Sequence, residues 1–92
     1  MTLEELAECV AILGSTSRLK ILRALETTDY FTLEDDVFKD IPAAWYHMNK
    51  LRSVGFVTSP HQGGSGPVRI FFRVNKKKLY EVLSELEEVV NL

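Results

Sequence analysis

The sequence predicts a mainly α-helical domain with one small β-hairpin close to its C-terminal end. Three observations carry that prediction. Apolar residues recur at helical spacing through the first half and again over the last fifteen or so positions. Helix-capping residues stand at the starts of those runs: Thr2, Ser15 or Thr16, Thr32, Asp40 and Asn75. The one stretch that alternates in the strand manner, Val68 to Val74, follows a segment rich in glycine and proline.

The elements follow in chain order. Thr2 and Glu5 form a capping box, and Leu3, Leu6, Ala7, Val10 and Leu13 make one stripe of a first helix that Gly14 ends. Cys9 lies beside the stripe and reads as a small, half-buried hydrophobe. A second helix runs to about Glu26. Its Leu19, Ile21, Leu22, Ala24 and Leu25 cover much of its circumference, which predicts a central position. Arg18, Lys20 and Arg23 are read as its solvated face. After a turn at Thr27-Thr28-Asp29 and a short possible strand at Tyr30-Phe31, a third helix spans Leu33 to Lys39, with Leu33, Val37 and Phe38 toward the core. Its acids Glu34, Asp35 and Asp36 suit the positive end of a helix dipole better than a metal.

The fourth helix is expected over residues 42–54. Asp40 is its cap, Pro42 falls in its first turn and Gly55 closes it in a left-handed conformation. Ala44, Met48, Leu51 and Val54 form its apolar stripe. The opposite side shows Ala43, Tyr46, Asn49, Lys50 and Ser53, flanked by Trp45 and Arg52. Such a face can enter a groove, with amide and ammonium groups for base edges or phosphates. Phe56-Val57-Thr58 is a strand, 59–67 a loop, and 68–74 the return strand with Arg69, Phe71 and Arg73 on one side. Asn75 caps a last helix, Lys76 to about Val90, banded by Leu79, Val82, Leu83, Leu86, Val89 and Val90. Lys76, Lys77 and Lys78 sit at its positive end, where cations are unfavourable unless an anion meets them.

Helix–helix–helix–helix–strand–strand–helix is the order of a winged helix-turn-helix. One domain covers 1–92, with the helix-turn-helix at 32–54 and the wing at 56–74. The helices at 1–13 and 76–92 carry broader apolar stripes than a small core needs. Leu3, Leu6, Val10, Leu79, Val82, Leu83, Leu86 and Val90 are therefore expected to pair with a second copy about a two-fold axis.

The charge distribution points to a polyanionic partner. Residues 1–40 hold four bases and nine acids, residues 41–80 hold seven bases and no acid, and residues 81–92 hold four acids and no base. A forty-residue block without a carboxylate reads as a surface that meets a polyanion, with double-stranded DNA the expected partner, although the chain as a whole carries a net charge of −2; the competing reading is an uneven scatter of surface charge. Lys50, Arg52, Arg69, Arg73, Lys76 and Lys77 would hold phosphates, and Tyr46, Asn49 and Lys50 would supply selectivity. No run reaches the ~18 apolar residues of a membrane span, the N-terminus has no signal-peptide layout, and a single cysteine suits a reducing compartment. A cytoplasmic location, no cofactor and no metal are expected. Nothing resembles a nucleophile–base pair or a phosphate-binding loop, so no enzyme is expected.

Leu13-Gly14-Ser15-Thr16-Ser17-Arg18-Leu19-Lys20-Ile21-Leu22-Arg23-Ala24-Leu25, His47 to Val57 and Arg69 to Asn75 resemble the corresponding motifs of the ArsR-type (arsenical-resistance repressor) family of winged-helix regulators. The resemblance covers nearly the whole chain. It implies a homodimer formed by the first and last helices, DNA reading by the fourth helix and the wing, and repression that is often ligand-controlled. Two departures stand out. Residues 33–39 hold no cysteine and residues 76–92 no histidine or cysteine, so the family's metal switches are not supported. Trp45-Tyr46 stands where the family has a serine before its His-Leu pair, here His47-Met48. Trp45 then serves stacking, a thymine-methyl contact, or packing in core or interface. His47 reads as a packing or phosphate-contacting residue, and His61 as solvated. A competing expectation is a protein-binding module built on Trp45, Tyr46 and Phe71.

Overall fold

A computed structural model describes residues 1–25, 41–62 and 70–91. The expected third helix (Leu33–Lys39), the Asp40 cap, most of the hairpin tip and Arg69 lie outside the described residues. Among the described residues the order is α1 (Leu3–Leu13), α2 (Thr16–Ala24), α3 (Ala44–Ser53), β1 (Val57–Gln62), β2 (Ile70–Val74) and α4 (Lys76–Val90). This is a mainly helical architecture with one two-stranded antiparallel hairpin.

Side-chain caps fix three of the helix starts. Thr2 Oγ1 accepts from the Glu5 amide at 3.1 Å, Ser15 Oγ from the Arg18 amide at 3.4 Å, and Asn75 Oδ1 from the Lys78 amide at 3.2 Å. Each satisfies one of the donors that a helix start leaves free. The start of α3 departs from expectation. The helix begins at Ala44 rather than at 42, and its cap residue Ala43 stands at φ 55°, ψ 38° with no side-chain cap bond. The physical reason lies just upstream. Ile41 is drawn into the core at 7% exposure, and a residue before proline avoids helical torsions. Pro42 and Ala43 must then turn the chain from that anchor onto the helix axis.

The end of α3 follows the expected chemistry in detail. Gly55 has φ 84°, its amide donates to Arg52 O at 3.0 Å, and the Phe56 amide donates to Leu51 O at 3.0 Å. These are the paired bonds of a Schellman motif, and the hydrophobic contact that accompanies it is supplied by Leu51 and Phe56, both wholly buried. A Cβ at Gly55 would meet only Lys78 Cγ, at 4.0 Å, so the cost of a side chain there is conformational. Gly55→Ala is expected to lower stability by about 1–2 kcal/mol in urea unfolding. Gly14→Ala, at φ −78° with ordinary contacts of 3.5 Å, should be close to neutral. Gly14 ends α1 without using glycine's left-handed freedom.

The core gathers one or more residues from nearly every element. Leu6 and Cys9 come from α1, Ile21 from α2 and Leu25 just beyond it, Met48 and Leu51 from α3, Phe56 and Val57 from the α3–β1 junction, Phe72 from β2 and Val82 from α4. Cys9 is thus a full core member at 4% exposure, not a half-buried neighbour of the stripe. Leu19 corrects the reading of α2 in the other direction, since it is 53% exposed. Two residues expected at an interface between copies, Leu6 and Val82, are buried in the protomer's own core, and Leu79 and Leu86 pack partly against it. A helical stripe wide enough for two contacts had one half taken by the chain itself.

The hairpin is longer on its first side than expected. Residues 59–62, read as loop, continue β1. Thr58 pairs with Arg73 and His61 with Phe71, so Ser59 and Pro60 together oppose Phe72 in a bulge. A bulge is one of the few strand positions that proline tolerates, because no ladder donor is lost there. Alternation holds on β2, with Phe72 buried, Arg73 exposed and Val74 packed on the core.

Candidate nucleic-acid interface

The outward face of α3 follows from the burial of Met48 and Leu51. One turn of 3.6 residues places Tyr46, Asn49, Lys50 and Ser53 opposite them. Tyr46 is 53% exposed, Ser53 is exposed, and Asn49 and Lys50 are half-buried. Trp45 and Arg52 flank this face on one side, and His47 on the other. Ala43 is exposed at the leading end. Several of these groups already have partners. Ser53 Oγ donates to Lys50 O at 2.6 Å, and Arg52 Nη1 donates to Asn49 Oδ1 at 3.2 Å. Among the described residues no acceptor meets the amide N–H groups of Asn49.

Two clusters form around aromatic rings. On one flank the Tyr46 ring has the Arg18 guanidinium at 6.0 Å and the Lys50 ammonium at 5.5 Å, with the His47 ring edge-on at 5.3 Å. On the other flank Trp45 meets Phe72 edge-to-face, with ring centres 6.1 Å apart and planes at 68°, and the Arg52 guanidinium lies 5.9 Å from the Phe72 ring. Cations over ring faces are attracted by the π quadrupole. The rings therefore hold these cations along the helix surface.

Arg18 is not on the solvated face that the sequence predicts for it. Its Nε donates to His47 Nδ1 at 3.2 Å and its Nη1 to Ile12 O at 3.2 Å, both partly buried. One guanidinium thus ties the end of α1, the start of α2 and the flank of α3. The bond requires His47 Nδ1 to carry a lone pair. The sequence does contain a signal for this: Arg18 is a cation in the first turn of its helix, the same unfavourable placement that singled out Lys76–Lys78. Phe72, the support of both Trp45 and Arg52, carries no signal in the sequence beyond its place in the strand alternation.

Of the remaining basic positions, Arg73 is exposed on β2, Lys76 and Lys77 are exposed at the start of α4, and Lys78 lies beside Gly55. Trp45 is open, at 46% exposure, and so is not a core residue. The positions expected between copies that point outward are Leu3, Val10, Leu83 and Val90, at 67%, 38%, 54% and 74% exposure. Leu3 and Val10 are seven residues apart, as are Leu83 and Val90, so each pair lies along one line of its helix.

Among the described residues no three His, Cys, Asp or Glu side chains converge as a metal set, and no helix is long and apolar enough to cross a membrane. Compared with known proteins, the chain matches no family model, no curated protein and no solved structure at a significant level.

Proposed function

We propose that the chain is a dimeric, sequence-specific regulator of transcription that binds double-stranded DNA and acts in the cytoplasm as a repressor-like protein. In this reading residues 33–39 and α3 form a helix-turn-helix, α3 enters the major groove, and the hairpin is a wing over the backbone or minor groove. The resemblance to ArsR-type regulators belongs to the same proposal. The observation that carries it is the outward face of α3, where Tyr46, Asn49, Lys50 and Arg52 stand in a sequence block from 41 to 80 free of acids. Exposed Leu3, Val10, Leu83 and Val90 supply the contact between copies. The role is one of binding, not catalysis.

The test is duplex affinity across a salt series. Each phosphate neutralised is expected to contribute about −0.9 to the slope of log K against log salt. A flat line would exclude the proposal. A second reading, a protein-binding module, is favoured by the exposure of Trp45 and Tyr46. Lys50→Ala with Arg69→Ala separates the two, because it should cripple a DNA reader and leave the binding of a protein at the aromatic patch largely intact.

A further inference from the structure

We propose that Trp45 is a stacking site for an unpaired base, so that the preferred ligand is DNA carrying a single-stranded segment beside a duplex. The proposal rests on the nucleic-acid reading above and names the form of DNA that the same surface takes.

The two exposed aromatics of α3 are in different states. Tyr46 is engaged by Arg18 and Lys50 and flanked by His47. Among the described residues Trp45 has a ring contact only with Phe72, and that contact is edge-to-face. Edge-to-face packing fixes the orientation of a ring without covering it as a stacked neighbour would. Trp45 is therefore oriented by the hairpin yet remains 46% exposed.

Duplex DNA offers that ring a thymine methyl at most, and no open base face. Paired bases show only their edges in the major groove, and their faces are taken up by stacking with neighbours. A base that has left its pair presents a full π-face, and indole is a strong platform for it.

The surrounding charge suits the same ligand. Arg52 stands beside Trp45's support, Phe72, and Arg18 and Lys50 lie at the ring of Tyr46, the next residue along the helix. Cations close to a stacking ring suit a single strand, whose phosphates lie within reach of its bases. Tyr46 acts here as a positioning residue for the two cations.

Trp45 is the sole tryptophan, so its fluorescence reports the site directly. The full chain is titrated with a blunt duplex, with the same duplex bearing a single-stranded overhang, and with the free single strand. The overhang duplex is expected to quench Trp45 and to bind about tenfold more tightly than the blunt one. Trp45→Ala should abolish that tenfold preference, with circular dichroism confirming the fold. Trp45→Leu, which keeps apolar bulk against Phe72 but has no ring face, should abolish it too. Equal binding of blunt and overhang duplexes, with fluorescence unchanged, overturns the stacking site and leaves duplex reading intact. Failure of all three oligonucleotides to bind overturns both and leaves the aromatic surface to a protein ligand.

Discussion

Phe72→Ala is expected to destabilise the protein by about 3–5 kcal/mol, the range for truncating a fully buried aromatic. A chain of 92 residues has a total stability on the order of 5–14 kcal/mol, so the loss takes a large share of it. Phe72 is wholly buried in the core, and a two-stranded hairpin has little stability of its own. Removing the ring also takes away the edge contact of Trp45 and the cation contact of Arg52. Both the denaturation midpoint and Trp45 fluorescence in the folded state should change. Leu19→Ala, at a position 53% exposed, should stay within about 0.5 kcal/mol and serves as the control. A Phe72→Ala protein that unfolds like the parent would mean that the hairpin is not seated on the core.

Leu83→Glu is expected to weaken self-association by about 2–4 kcal/mol, or roughly thirtyfold to a thousandfold, as read by sedimentation over a concentration series. The effect rests on the proposed contact between copies. Leu83 is 54% exposed in the single chain, so a glutamate there costs the monomer little. In a dimer the same carboxylate would be taken out of water without a partner. Val82→Glu, one residue away at 1% exposure, should instead unfold the chain. Salt adds a second signature. α1 carries Glu4, Glu5 and Glu8, and α4 beyond its first turn carries Glu81, Glu85, Glu87 and Glu88, with no base in either stretch. Screening these acids should strengthen association of the copies while it weakens DNA binding. Wild-type protein that sediments as a monomer at every concentration would remove the dimer from the proposal.

Local chemistry was legible wherever one residue acts on its near neighbours. Thr2, Ser15 and Asn75 cap helices because their oxygens reach an amide three residues on, and the left-handed position at Gly55 is a glycine position. The cap of α3 was not legible, because Ala43 is held at positive φ by the anchoring of Ile41 and no local preference of alanine selects it. Residues 59–62 read as loop because proline and polar side chains are poor strand formers, whereas the bulge places Pro60 where neither matters. Periodicity found the stripes of α1 and α4 but could not say which side the chain covers itself, so Leu6 and Val82 were grouped with Leu3 and Leu83. On the candidate surface, the exposure of Tyr46 and Ser53 follows from the helical period. The Arg18–His47 bond, spanning twenty-nine residues, depends on how α2 lies on α3; the cation in the first turn of α2 hints that Arg18 has a partner but does not name His47.

Where α3 ends, α4 begins almost at once in space. The Asn75 amide donates to Phe56 O at 2.8 Å, immediately after the Schellman turn, and Lys78 lies against Gly55. The two helices therefore share a pivot. A substitution at Gly55 or Phe56 that shifts this junction therefore reseats the start of the long last helix together with the end of α3.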